Sequence, residues 1–190
     1  VARAVAKCPV CGATIDATTT RKLFQEKKSG ERMVAVVLHK PGQNGKQYRI
    51  ANDADMRIFK EAEKYLAVKR EKLSEEWGMD PVPDEPTPEG KGSGAERAFS
   101  VRNYGMNTWG DLFNARQKLM LITFVENVRW AYEKMLKIDE DEEYAKTLVS
   151  YLAICVDKIT DYDNVLCQWR NNLETVGHIF ARQALPMLWD

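Results

Sequence analysis

Residues 78–94 read GMDPVPDEPTPEGKGSG and hold four of the chain's seven prolines and four of its eleven glycines. Proline has no amide hydrogen to donate, and its ring clashes with the preceding helical turn. The stretch can therefore be neither a helix nor a central strand. It must be a linker or an extended strap between the segments that precede and follow it.

On its N-terminal side the first fifty residues read as β-ribbon. ERMVAVVLHK (31–40) is rich in β-branched residues, and PGQNGK (41–46) is a turn cluster leading into the short strand QYRIA (47–51). From Asp53 to Trp77 the period becomes helical: Met56, Phe59, Ala62, Leu66, Leu73 and Trp77 recur on one face, with Asn52 or Asp53 as N-cap. Beyond the proline segment, residues 114–137 open with Asn114 and Gln117 in capping-box spacing. They align Leu119, Ile122, Val125, Val128, Tyr132 and Met135 on a stripe. Residues 141–169 are apolar on several faces around Leu148–Val156, the pattern of a helix packed on more than one side. LETVGHIFARQAL (173–185) reads as a further helix, stopped by Pro186.

Near the start, KCPVCGAT (7–14) places Cys8 and Cys11 at the spacing of a zinc knuckle. A tight turn between two such cysteines points both sulfurs inward and aims backbone N–H groups at them, and Gly12 suits the positive φ that follows the second one. A structural zinc needs four ligands, and the usual completion is a second C-x-x-C 15 to 20 residues away. The chain has none. Cys155 and Cys167 lie in helix-like sequence, and His39 and His178 stand alone. The expected site is thus incomplete in this chain, with the missing ligands expected upstream of Val1. An ordinary thiol pair is the alternative; a redox pair lacks the surrounding βαβ pattern. The fold expectation is α+β: a zinc-ribbon-like β segment over 1–51, a connecting helix over 52–77, a Pro/Gly-rich linker over 78–98 and a mainly α-helical domain over 99–190.

Lys plus Arg equals Asp plus Glu at 28 each, so net charge points to no partner. Its distribution says more. Residues 1–50 hold ten Lys/Arg against Asp16, Glu26 and Glu31, a balance of +7, which leaves −7 for residues 51–190. A basic ribbon on an acidic helical body follows, with Arg21, Lys22, Lys27 and Lys28 the basic cluster nearest the knuckle. Local charge scatter on a solvated surface is the plainer reading. No run of 18 apolar residues and no export-signal pattern is present, and four cysteines do not make a disulfide framework. No membrane association is expected, and the cytoplasm is the expected compartment.

Several phrases bear on chemistry. EGKGSG (89–94) alternates glycines but lacks the strand and helix that a dinucleotide fingerprint requires. Asp80-Pro-Val-Pro83 resembles the D-P-P-Y motif of amino-group DNA methyltransferases, yet lacks the adjacent prolines and the aromatic. RNYGMNTWGDLFNARQ (102–117) sets Tyr104, Trp109 and Phe113 among glycines and Arg102 and Arg116. Such a loop could stack on bases and hold phosphates, or the same rings could staple it to the helical core. Asp157 and Asp161 fall four apart on one helical face with Asp163 nearby. That set orients an arginine, binds a cation or simply faces solvent. WRNN (169–172) or Arg182 could be its basic partner, and His178 and Cys155 read as core or near-core residues.

Four phrases in order, AKCPVCGATI (6–15), YGMNTWGDLFNARQ (104–117), YLAICVDKITDYDNVLCQW (151–169) and RQALPMLWD (182–190), together resemble the middle of the prokaryotic zinc-ribbon-containing adenine-specific DNA methylase family. The resemblance covers nearly the whole chain. It implies a first cysteine knuckle and a glycine-rich S-adenosylmethionine motif upstream, and a D-P-P-Y motif downstream. It implies methyl transfer to adenine in DNA by the intact protein, with S-adenosylmethionine as cofactor. This chain, which carries neither catalytic motif, is expected to be inactive alone and to serve as a nucleic-acid-binding or target-recognition insertion. Its expected partners are DNA and the remainder of the methyltransferase chain. The competing readings are a non-enzymatic zinc-ribbon and helical scaffold for protein or RNA, and an accessory region of an RNA methyltransferase.

Overall fold

A computed structural model describes residues 5–8, 10–90, 100–138 and 141–178. The chain is α+β, with four helices and three two-stranded antiparallel hairpins among those residues. β1 (Ala6–Lys7) pairs with β2 (Thr14–Ile15), and the cysteine turn lies between them. The β segment is then interrupted by α1 (Ala17–Gln25), which the reading of residues 1–50 as continuous ribbon did not anticipate. The reason is local. Asp16 is an N-cap whose carboxylate accepts from the Thr19 N–H at 2.7 Å, and Leu23 and Phe24 give the short helix a partly buried side.

β3 (Ala35–Leu38) and β4 (Gln47–Ile50) form the expected hairpin across the PGQNGK turn, in a register that sets Ala35 opposite Ile50 and Leu38 opposite Gln47. The second helix, α2 (Asp53–Trp77), has the expected bounds. Asn52 accepts from the Ala54 and Asp55 N–H groups, Asp55 accepts from the Asn52 N–H, and Gly78 closes the helix in the left-handed region at φ 67°. α3 (Ala115–Lys137) starts at the expected reciprocal box, with Asn114 and Gln117 each bonding the other's backbone N–H.

The proline segment is an ordered strap over residues 81–88. Prolines keep their carbonyls, and the strap bonds through acceptors: Pro83 O takes the Gly110 N–H at 2.9 Å and Glu85 O takes the Trp109 N–H at 3.0 Å. The Thr87 N–H donates to Asn107 O at 2.9 Å, and its hydroxyl donates to Met106 O at 2.9 Å. Val82 is thereby inserted with Leu73 of α2 and Ile122 of α3 into one small core. The other core gathers Val101, Leu112 and Leu166, with Trp109 and Phe113 packed against it. The EGKGSG glycines beyond residue 90 lie outside the described residues.

α4 (Glu142–Tyr162) ends seven residues earlier than the apolar pattern suggested. Asn164 ends it: its amide donates to Thr160 O at 2.8 Å while its carbonyl accepts the Leu166 N–H at 3.0 Å, a closed local turn that competes with another helical turn. The helix packs against α3, which lies between α2 and α4. Among the described residues nothing covers its other side, where Tyr144, Leu148, Tyr151, Leu152 and Ile154 remain exposed. The expected helix from 173 is also corrected. β5 (Gln168–Arg170) and β6 (Thr175–Gly177) form a hairpin, and the part of that prediction beyond residue 178, including Arg182 and Pro186, lies outside the described residues. No helix among the described residues is long and apolar enough to cross a membrane.

Candidate nucleic-acid interface

The turn between β1 and β2 has the backbone of a metal knuckle. The Cys8 N–H donates to Ala13 O at 2.8 Å, the Gly12 N–H donates to Cys8 O at 2.9 Å, and Gly12 takes φ 73°. The Cys11 and Val10 backbone N–H groups point at the Cys8 sulfur, and with the Cys11 side chain they hold its thiol below the usual cysteine range. Cys8 is half-buried and Cys11 exposed. The donor set is right for zinc, but the described residues contain no group of three or more His, Cys, Asp or Glu placed to hold one ion. Two thiolates are what this chain brings to such a site.

The basic cluster follows on and after α1. Lys22 and Lys28 both engage Glu26, at 3.8 and 2.7 Å, whereas Arg21 and Lys27 make no ion pair with any described residue. Lys27 stands in the left-handed region at φ 55° just past the helix, so its side chain leaves the helix face. Of the four cations, these two are free to meet an anion.

The aromatic loop is bound to the body at both ends. Tyr104 meets Phe24 edge-on with centroids 5.7 Å apart, and the Gln25 side chain donates to Asn103 O at 3.2 Å, so α1 is seated on the loop. Gly105 permits this approach, since a Cβ there would lie 2.9 Å from Phe24 O. Trp109 packs against the core around Val101, Leu112 and Leu166. Arg102 turns to the strap, donating to the Thr87 hydroxyl at 3.3 Å and lying 3.6 Å from Glu89. These contacts are those of a stapled loop.

Arg116 is different. It is exposed in the first turn of α3, and it makes no hydrogen bond or ion pair with a described residue, although Asp55 and Asp163 both feel its charge. It lines a hollow of about 490 Å³ whose apolar walls are Met33, Phe59 and Met120 and whose polar walls are Asn114, Gln117 and Asp163. A second hollow of about 210 Å³ shares Met33, Phe59 and Asn114 with it and extends to Glu31, Arg32 and Met56. The two form one groove. Burial pushes the Asp163 carboxyl above the usual range, against the opposing pull of a Gln117 hydrogen bond and the Arg116 charge, and its Oδ2 is buried without a partner. In the sequence, Phe59 reads as part of a core stripe, and Met33 and Arg32 carry no pattern. The groove joins residues 31 to 163, and no local signal announces it.

The three aspartates do not share a site. Asp157 is exposed, while Asp161 is buried beside Lys158 at 3.4 Å and His178 at 3.7 Å. Of the two residues expected to be core or near-core, neither is buried, and Cys155 lies furthest from that expectation. His178 is more than a third exposed and lies against the Tyr162 ring, and Cys155 is exposed on the open side of α4. Cys167 is half-buried, its thiol pushed up by burial and placed 3.5 Å from Asp161 O.

Comparison with protein-family models, with curated proteins and with solved structures gives no match to this chain.

Proposed function

We propose that this chain is the non-catalytic, DNA-contacting part of an S-adenosylmethionine-dependent adenine-specific DNA methyltransferase. The observation that carries the reading is the Cys8–Cys11 turn, whose backbone N–H groups are already aimed at sulfur and which supplies half of a structural zinc site. Another segment of the intact protein then supplies the remaining ligands, and metal binding welds the two segments together. Arg21 on the helix that follows that turn in sequence, and Lys27 just past that helix, make no ion pair with a described residue and give the segment a contact for phosphate. S-adenosylmethionine and the base-holding motif belong to other segments, because this sequence has no glycine-rich strand-to-helix turn and no D-P-P-Y. The open apolar side of α4 agrees with a chain that packs against the rest of a larger protein.

That same side of α4 favours the second reading, a non-enzymatic zinc-ribbon and helical scaffold for protein or RNA, on its protein-binding arm. Cobalt(II) titration of the chain tests the zinc half of the first reading. Weak thiolate-to-metal absorption with less than one equivalent bound is expected, and the Cys8→Ser variant should abolish it. One tightly bound equivalent in each monomer, held by four of its own side chains, would contradict the reading.

A further inference from the structure

Arg32 and Arg116 stand at the two ends of the groove described above, both exposed and neither engaged by an acid among the described residues. Between them lie Phe59 and the thioethers of Met33, Met56 and Met120, a polarizable apolar surface flanked by the Asn114 and Gln117 amides and the Asp163 carboxyl. Aliphatic ligands need no amides and inorganic anions need no aromatic wall. An aromatic surface with amide and carboxyl groups at its edge, and a guanidinium at each end, matches a planar heterocycle carrying N–H and acceptor atoms and joined to phosphates on both sides.

We infer that this groove takes one unstacked nucleobase of a bound DNA strand, with the base against Phe59 and the flanking phosphates on Arg116 and Arg32. The inference rests on the nucleic-acid reading proposed above and adds a site to it. A base in a duplex has both faces covered by its neighbours, so only a looped-out or single-stranded base can lie against a protein ring. The hollow of about 490 Å³ falls in the size range of small-ligand clefts. Asp163 fits the same ligand. Its carboxyl lines the larger hollow and places an acceptor at the edge of the site, where the N–H edge of a base can donate to it. Glu31 lines the same end as Arg32 and opposes a phosphate that approaches its carboxylate, so the phosphate sits on the guanidinium alone.

Fluorescence anisotropy distinguishes this site from the basic cluster near the knuckle. The probe is a labelled DNA duplex with one bulged deoxyadenosine, compared with the same duplex carrying an abasic residue in the bulge. The wild-type chain should bind the deoxyadenosine bulge about tenfold more tightly than the abasic one, the scale of one base–aromatic contact. Phe59→Leu, which keeps apolar volume but removes the ring, should erase that preference, and Arg116→Gln should weaken both bulged duplexes. Arg21→Ala with Lys27→Ala should weaken all duplexes while keeping the preference. Circular dichroism melts identify any variant that fails to fold, and Asp163→Asn then serves as the second groove variant. Equal, salt-dependent affinity of the wild type for both bulges would overturn the groove while leaving the nucleic-acid reading intact. Absence of binding to either duplex would overturn both.

Discussion

The carboxylate of Asp55 accepts from both terminal nitrogens of Arg49, at 2.6 and 2.7 Å, and from the Asn52 N–H at 2.9 Å. One side chain thus closes the capping box of α2 and ties the helix to the end of β4. The Arg49 hydrogen bonds, with the Asn52 N–H, lower its pKa from 3.8 to about 2. A folded-state pKa below the unfolded one gives stabilisation that is complete above the unfolded value and disappears as pH falls through the folded one. Melting temperatures of the wild type and of Asp55→Asn should therefore differ most at about pH 5 and converge as pH drops from about 4 to about 2. A constant difference across that window would show that the substitution acts through the backbone and not through the carboxylate. The cap was legible in the sequence, since Asn followed by a first-turn acid is a local signal. The Arg49 partner was not, because the hairpin's position relative to the helix decides it.

At the scale of elements, the proline strap is where sequence and structure diverge most instructively. Composition excludes helix and central strand, and the described part of the stretch, through residue 90, is neither. It does not say that Pro83 and Glu85 offer their carbonyls to the loop at Trp109 and Gly110, or that Val82 enters the core. Such pairing has no periodic trace. Gly110 marks the contact, because a Cβ there would lie 2.6 Å from Pro83 O and 2.7 Å from Val82 Cγ1. Gly110→Ala should destabilise the fold by about 1–3 kcal/mol as the strap is pushed off. Gly30→Ala, where a Cβ meets nothing within 4 Å and φ is not positive, is the control and should be neutral or slightly stabilising in the same thermal melts. Equal effects of the two would mean that the strap is not held as described. The helices were legible nearly to the residue where caps were local, as at Asn52 and Asn114. They failed where a turn competed, as at Asn164, or where an apolar run folded as a hairpin, as at Thr175–Gly177.

Across the whole molecule, the +7 segment over residues 1–50 is not a uniformly basic ribbon. Glu26 engages two of the four lysines and arginines of the cluster, and Arg49 is taken by Asp55. Among the described residues of the basic segment, Lys7, Arg21, Lys27, Arg32, Lys40 and Lys46 keep no ion pair, and Arg116 joins Arg32 along the groove. Composition could not have separated the engaged cations from the free ones, because that depends on which acids the fold brings near them. In the proposed function these cations bind DNA phosphate. The most direct test of this is the affinity of the chain for a duplex oligonucleotide between about 50 and 200 mM salt. Affinity should fall steeply along a straight line of log K against log salt, and Arg21→Ala with Lys27→Ala should flatten the slope by about two contacts. No measurable binding, or binding indifferent to both salt and these two substitutions, would contradict it.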